Sequence, residues 1–119
     1  MFLQIEGIDG AGKTTQCELL RKRMLDKNIS AVIVKELYST DLGKKVREIL
    51  VRGNINAAVA EMFLFLAGKA QAFSEVILPK LSKGVCVIAD RGHGSFISYN
   101  ASIGISKEML IEFLNVAHF

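Results

Sequence analysis

Phe2-Leu3-Gln4-Ile5-Glu6-Gly7-Ile8-Asp9-Gly10-Ala11-Gly12-Lys13-Thr14-Thr15 joins an apolar, strand-like run to a G-x-x-x-x-G-K-[ST] pattern, and a helix-like segment follows at once. In that setting the pattern marks a phosphate loop for a nucleoside triphosphate. The glycines let the backbone turn tightly and aim several N–H groups inward, forming an anion nest at a helix N-terminus. Gly7, Ile8, Asp9, Gly10, Ala11, Gly12, Lys13, Thr14 and Thr15 are the candidate triphosphate-binding residues. Among them Lys13 is placed to reach the β- and γ-phosphates and Thr14 to bind Mg²⁺. A glycine-rich turn capping an ordinary helix is the alternative that a bare pattern leaves open.

Further along, Leu19, Leu20, Met24 and Leu25 alternate with charged residues at helical spacing, and Asp26-Lys27-Asn28 punctuates the end. Ala31-Val32-Ile33-Val34 is a β-branched run suited to a strand buried on both faces. After a loop from Glu36 to Thr40, Ser39 or Thr40 can cap a helix bearing Leu42, Val46, Ile49 and Leu50. Asn56 is the expected cap of the next helix, which reaches about Leu78-Pro79-Lys80. Val85-Cys86-Val87-Ile88-Ala89 reads as a third core strand, and Ser106 opens a last helix. The order β-α-β-α-α-β-α-α predicts an α/β fold of the P-loop NTPase type, a three-layer parallel sheet flanked by helices. Ligands then gather at the carboxyl ends of the strands, where the phosphate loop, Glu36 and Asp90-Arg91 all fall.

The 119 residues form one domain, half of them hydrophobic and 23% charged, which excludes a disordered or low-complexity chain. A net charge of +3 suits an anionic ligand but is too small to argue for nucleic acid. Ile55–Ala67 is apolar but contains Glu61 and is too short to span a bilayer, so no membrane partner is expected. Met1 leads straight into a strand with no export signal, and Cys17 and Cys86 have no metal-ligand spacing. A cytoplasmic protein with reduced cysteines is the expectation.

Asp90 ends an apolar strand, where a carboxylate can hold Mg²⁺ through a water molecule beside the phosphate loop. Arg91 carries a planar fork suited to bidentate phosphate contact; a surface ion pair is the alternative for both.

The whole chain resembles the amino-terminal half of a thymidylate kinase. Ile5 to Gln16 carries the resemblance first, then Leu42-Gly43 with Val46-Arg47-Glu48-Ile49-Leu50, Phe63-Leu64-Phe65 with Ala67, Ile77-Leu78-Pro79, and Asp90-Arg91 with Ser95 and Tyr99. The resemblance implies ATP-dependent phosphorylation of deoxythymidylate, with Asp9, Lys13 and Arg91 catalytic. It places Asp9 near the sugar 3′-hydroxyl or the acceptor phosphate and makes Arg47 and Arg91 clamp that phosphate. Phe65 then stacks on thymine, and Ser95, Tyr99 and Asn100 lie along base and sugar. Glu36 and Lys69 complete the acceptor set, and Thr14 with Asp90 is the Mg²⁺ set. Core roles for Phe65 and Tyr99, and a solvated charge for Arg47, are the alternatives.

Departures from the family are specific. Glu36-Leu37-Tyr38-Ser39-Thr40 stands where Glu-Pro-Gly-Gly-Thr is usual, Lys69 replaces an arginine that binds base and phosphate, and Asn100 replaces a glutamine. Gly92 replaces an aromatic or histidine, with His93 one position late and read as a solvent-facing loop residue. The chain reaches Val116-Ala117-His118-Phe119 without a capping glycine or polar tail, so the domain reads as truncated, with Phe2–Glu6 left as an exposed sheet edge. A homodimer face on the Ile55–Ala67 helix is a further expectation. The other functional readings are a deoxynucleoside or other small-molecule kinase and a non-catalytic nucleotide-binding fragment.

Overall fold

The computed structural model describes residues 1–118, so Phe119, the end of the expected interruption, lies outside the described residues. Strand β1 (Phe2–Ile5) leads through the glycine loop into α1 (Lys13–Asp26), followed by β2 (Ala31–Val34), a 3-10 turn at Glu36–Tyr38 and α2 (Asp41–Arg52). Helix α3 (Ala58–Ala72) continues through a π-helical turn (Phe73–Ile77) into α4 (Leu78–Ser82), then β3 (Cys86–Asp90), α5 (His93–Ser102) and α6 (Lys107–His118).

Both strand pairs are parallel and the sheet order is β1-β3-β2. Among the described residues β3 is therefore central and β1 is an edge. Period-2 alternation divides β3 between two layers. Cys86 and Ile88 pack with Cys17 and Met24 of α1, while Val87 packs with Phe73 and Ile77 on the other face. A third cluster, Met62, Phe96, Leu110 and Leu114, joins α3, α5 and α6 beside the sheet. Asp90 shares the phase of Cys86 and Ile88, so the sheet itself turns its carboxylate toward α1.

Local chemistry sets the helix ends. Gly12 enters α1 at φ 82, and Gly53 leaves α2 at φ 68, both left-handed conformations that a Cβ would strain. The Thr40 hydroxyl accepts the Gly43 N–H at 3.0 Å, and the Ser106 hydroxyl accepts the Met109 N–H at 3.2 Å, as their positions predict. Asn56 does not cap α3: the helix starts one residue later, on an extended Ala57 with no side-chain cap bond. The wide turn at Phe73–Ile77 precedes Pro79, whose ring crowds the carbonyl four residues back, and keeps the helix continuous.

The resulting rod, Ala58–Ser82, is much longer than the apolar stretch legible in the sequence, and by length and composition it could cross a bilayer. A third of that window is buried within the fold, and it carries Lys69 in a buried ion pair.

Candidate active site

The carboxyl ends of the three strands open into one cavity of about 780 Å³, within the usual range for a small-molecule site. Lys13, Lys35, Lys69 and Arg91 face Asp9, Glu36 and Asp90 around it, so cations outnumber acids at its wall. Phe65, Phe96, Tyr99 and Tyr38 supply its apolar surface.

At the phosphate-loop end, Gly10, Gly12, Lys13, Thr14 and Thr15 line the cavity, whereas Gly7, Ile8 and Ala11 do not. The Lys13 ammonium donates to the Ile8 carbonyl at 2.6 Å and lies 3.9 Å from Asp9. The Thr14 hydroxyl donates to Asp90 Oδ2 at 2.7 Å, and the Lys35 ammonium is 3.2 Å from the same oxygen. Burial pushes the Asp90 carboxyl upward, but the Thr14 and Lys35 hydrogen bonds and the charges of Lys35 and Lys13 outweigh it and hold the group below its ordinary value. Hard oxygens from Thr14 and Asp90, side by side, fit Mg²⁺. No cluster of three or more acidic, His or Cys side chains is present among the described residues, so the remaining oxygens of such an ion must come from phosphate and water.

Arg91 adopts φ 76, a left-handed conformation rare for a side-chain-bearing residue and of the kind that concentrates at functional sites. There its N–H donates to the Ile5 carbonyl at 3.0 Å. Its guanidinium bonds Asp9, the Gly7 carbonyl at 3.3 Å and the Ser95 hydroxyl at 3.2 Å. Glu6 accepts from the N–H and hydroxyl of Ser95. The loop, the end of β3 and the start of α5 are thus tied together through Arg91 and Ser95.

The opposite end is built on α3 and α5. Phe65 is half-buried and tilts against Tyr99 with ring centroids 6.2 Å apart, and the Tyr99 hydroxyl donates to Glu61 at 2.9 Å. Lys69 and Glu36 are paired with side chains only 4% and 10% exposed. Burial pushes the Glu36 carboxyl above its ordinary value against the pull of Lys69. Asn100 is buried and donates to the Phe96 carbonyl at 2.8 Å. Arg47 does not line the cavity: its guanidinium lies 4.8 Å above the Tyr38 ring and donates to the Tyr38 hydroxyl.

Two features escaped sequence reasoning. Gly92 is not a loop position awaiting an aromatic: a Cβ there would sit 2.4 Å from the Gln4 side chain, which fills the space and accepts the His93 N–H at 3.2 Å. His93 consequently starts α5 and is half-buried rather than solvent-facing. Burial and then the Lys69 charge depress its pKa, against the pull of Glu6. A histidine held neutral in the fold gives full stability above pH 6.5, lost as pH falls below that value toward its depressed native pKa. Urea midpoints at pH 7.5 and 5.5 are expected to fall with acid, and His93→Gln to flatten that slope.

The family described as Thymidylate kinase matches residues 5–115. The thymidylate kinase of Thermosipho melanesiensis is 41% identical over 116 residues, covering 98% of this chain and 58% of the relative. That of Fervidobacterium nodosum is 44% identical over 109 residues, covering 92% and 53%. The crystal structure of thymidylate kinase from Ehrlichia chaffeensis superposes with a TM-score of 0.90 at 31% identity, covering 98% of this chain and 67% of that one. The chain spans about half the length of the curated relatives it matches.

Proposed function

Because the chain belongs to the thymidylate kinase family, we propose that it carries the phosphate loop and acceptor pocket of an enzyme that transfers the γ-phosphoryl group of ATP to deoxythymidylate. The supporting observation is the single cavity that joins Lys13, Thr14 and Asp90 at one end to Phe65, Tyr99 and Asn100 at the other. Its volume of about 780 Å³ and its lining suit phosphate groups at one end and a nucleoside at the other.

In the transfer an oxygen of the acceptor's phosphate bonds to the γ-phosphorus as the bond to the β-phosphate oxygen breaks, releasing ADP. Such sites act by positioning and charge neutralisation. Lys13 leaves the Ile8 carbonyl for the β- and γ-oxygens, and Arg91 turns from Asp9 to the acceptor phosphate. Asp9, released, lies at the sugar 3′-hydroxyl or the phosphate. Thr14 and Asp90 would hold Mg²⁺, which would supply further charge neutralisation. Phe65 stacks on the base, while Ser95, Tyr99, Asn100, Glu36 and Lys69 line base and sugar. Arg47 joins the acceptor phosphate by leaving its place on Tyr38. A cytoplasmic enzyme that pairs as a homodimer through the side of α3 exposing Val59 and Phe63 belongs to the same reading.

Incubating the protein with ATP and a panel of nucleosides and nucleoside monophosphates tests the proposal. Formation of ADP with deoxythymidylate above all other acceptors supports it. A nucleoside preference points to a nucleoside kinase, and nucleotide binding without acceptor-dependent turnover to a non-catalytic role. Phe65→Ala is expected to weaken deoxythymidylate binding by about 1–3 kcal/mol, the worth of one stacked base, with ATP affinity unchanged. Equal losses for both ligands in calorimetric titration would make Phe65 a core residue instead.

A further inference from the structure

Lys35 was not among the residues legible as functional, yet the sheet delivers it to the phosphate-loop end of the cavity. It follows β2 in the phase of Ala31 and Ile33, and one step beyond the Val34–Ala89 pairing it stands opposite Asp90. Parallel register thus makes Lys35 and Asp90 a cross-strand pair on the face covered by α1. The carboxylate oxygen that Lys35 approaches to 3.2 Å is the one that accepts the Thr14 hydroxyl at 2.7 Å.

The two partners differ in freedom. The Asp90 side chain is 6% exposed and hydrogen-bonded by Thr14, whereas that of Lys35 is 45% exposed. A compact ammonium on a flexible four-carbon stem can leave a carboxylate without disturbing the fold. The movable charge of this pair is the lysine.

We propose that Lys35 is a positioning residue that serves as the exchangeable counter-ion of Asp90: its ammonium holds the carboxylate against Thr14 until a divalent cation arrives with nucleotide, and by competing for that carboxylate it sets how tightly the cation is held. The proposal rests on the reading that Thr14 and Asp90 hold Mg²⁺. Ammonium and dication attract the same oxygens and repel each other, so the site cannot use both at full strength. A lysine that only packed against the strand would leave cation affinity untouched.

Mn²⁺ is the probe, titrated into the full chain preloaded with a non-hydrolysable ATP analogue, with free Mn²⁺ followed by electron paramagnetic resonance. Lys35→Met, which keeps the stem and removes the charge, is expected to tighten Mn²⁺ binding by about fivefold to tenfold, and Lys35→Arg to stay within about twofold of wild type. Lys35→Gln provides the same test should the methionine variant not fold. Asp90→Asn is expected to weaken Mn²⁺ binding. Unchanged or weaker binding in the neutral Lys35 variants, with Asp90→Asn still impaired, overturns the counter-ion role alone. A wild-type protein that takes up no nucleotide-dependent Mn²⁺ overturns the Thr14–Asp90 metal reading and the counter-ion role with it.

Discussion

In the proposed phosphoryl transfer, Lys13→Ala is expected to lower ADP formation by about 10²–10⁴, the range for removing one preorganised electrostatic contact from a reacting centre. The lysine rises from the first turn of α1, where Gly12 turns the chain into the helix at φ 82. Its side chain lies along the loop with the ammonium on the Ile8 carbonyl, 2.6 Å away. Among the described residues Lys13 is the lysine that the loop itself holds; in the resting structure the Lys35 ammonium lies on Asp90 and the Arg91 guanidinium on Asp9. The alanine variant should keep its secondary structure, because the Lys13 ammonium is held by the carbonyl of Ile8 in its own loop rather than by the sheet. A rate within about tenfold of wild type in a coupled ADP assay would refute the phosphate-loop assignment.

The second large effect is on stability. Lys69→Met is expected to cost about 3–5 kcal/mol, because it strands the Glu36 carboxylate in a site where its lysine partner is gone. Both side chains are at least nine-tenths buried, so water cannot take over the role. The corresponding loss in melting temperature is about 10 °C or more. The pH dependence identifies the cause. Burial already raises the Glu36 pKa, and removing Lys69 raises it further, so the variant's native state binds a proton that its unfolded state releases. The deficit should therefore shrink as pH falls toward 4.5 and grow as pH rises through the native pKa. Combining Lys69→Met with Glu36→Leu should recover most of the loss. A single variant as stable as wild type at pH 7 in urea denaturation would show that the pair contributes nothing.

The fold was legible because its signals are local. An apolar run before a glycine loop, a β-branched run at Ala31–Val34 and another ending at Asp90 each announce an element by composition, and their alternation with helices dictates a parallel sheet. Thr40 and Ser106 were legible as caps because capping acts over three residues. The site was legible where a strand end carries its own chemistry, as at Asp90, and through the family resemblance at Phe65, Lys69, Ser95, Tyr99 and Asn100, which line the same cavity; how these residues pair was not. Lys69 and Glu36 are 33 positions apart and Lys35 and Asp90 farther still, so their pairing exists only once β2, α3 and β3 are packed. The same holds for Gln4 beneath Gly92: a glycine where an aromatic is usual reads as a loss until the glutamine of another strand is seen filling its place. Arg47 shows the converse, a helix residue whose position was plain but whose attachment to Tyr38 was not.

The sheet order has a consequence for how the chain is made. β1 and β2 leave the ribosome before β3, yet among the described residues neither pairs with the other; each pairs with β3. No hairpin or local ladder can shelter them in the meantime. Translation at about 5–20 residues per second leaves roughly 3–11 s between completing Val34 and reaching Asp90, during which two apolar strands have no partner. The glycine loop, synthesised first, becomes a binding site last, because Asp90 and Arg91 must emerge before anything faces it. A nascent chain stalled before β3 therefore lacks both its sheet and the Thr14–Asp90 contact, and the site is whole only once α5 has followed β3.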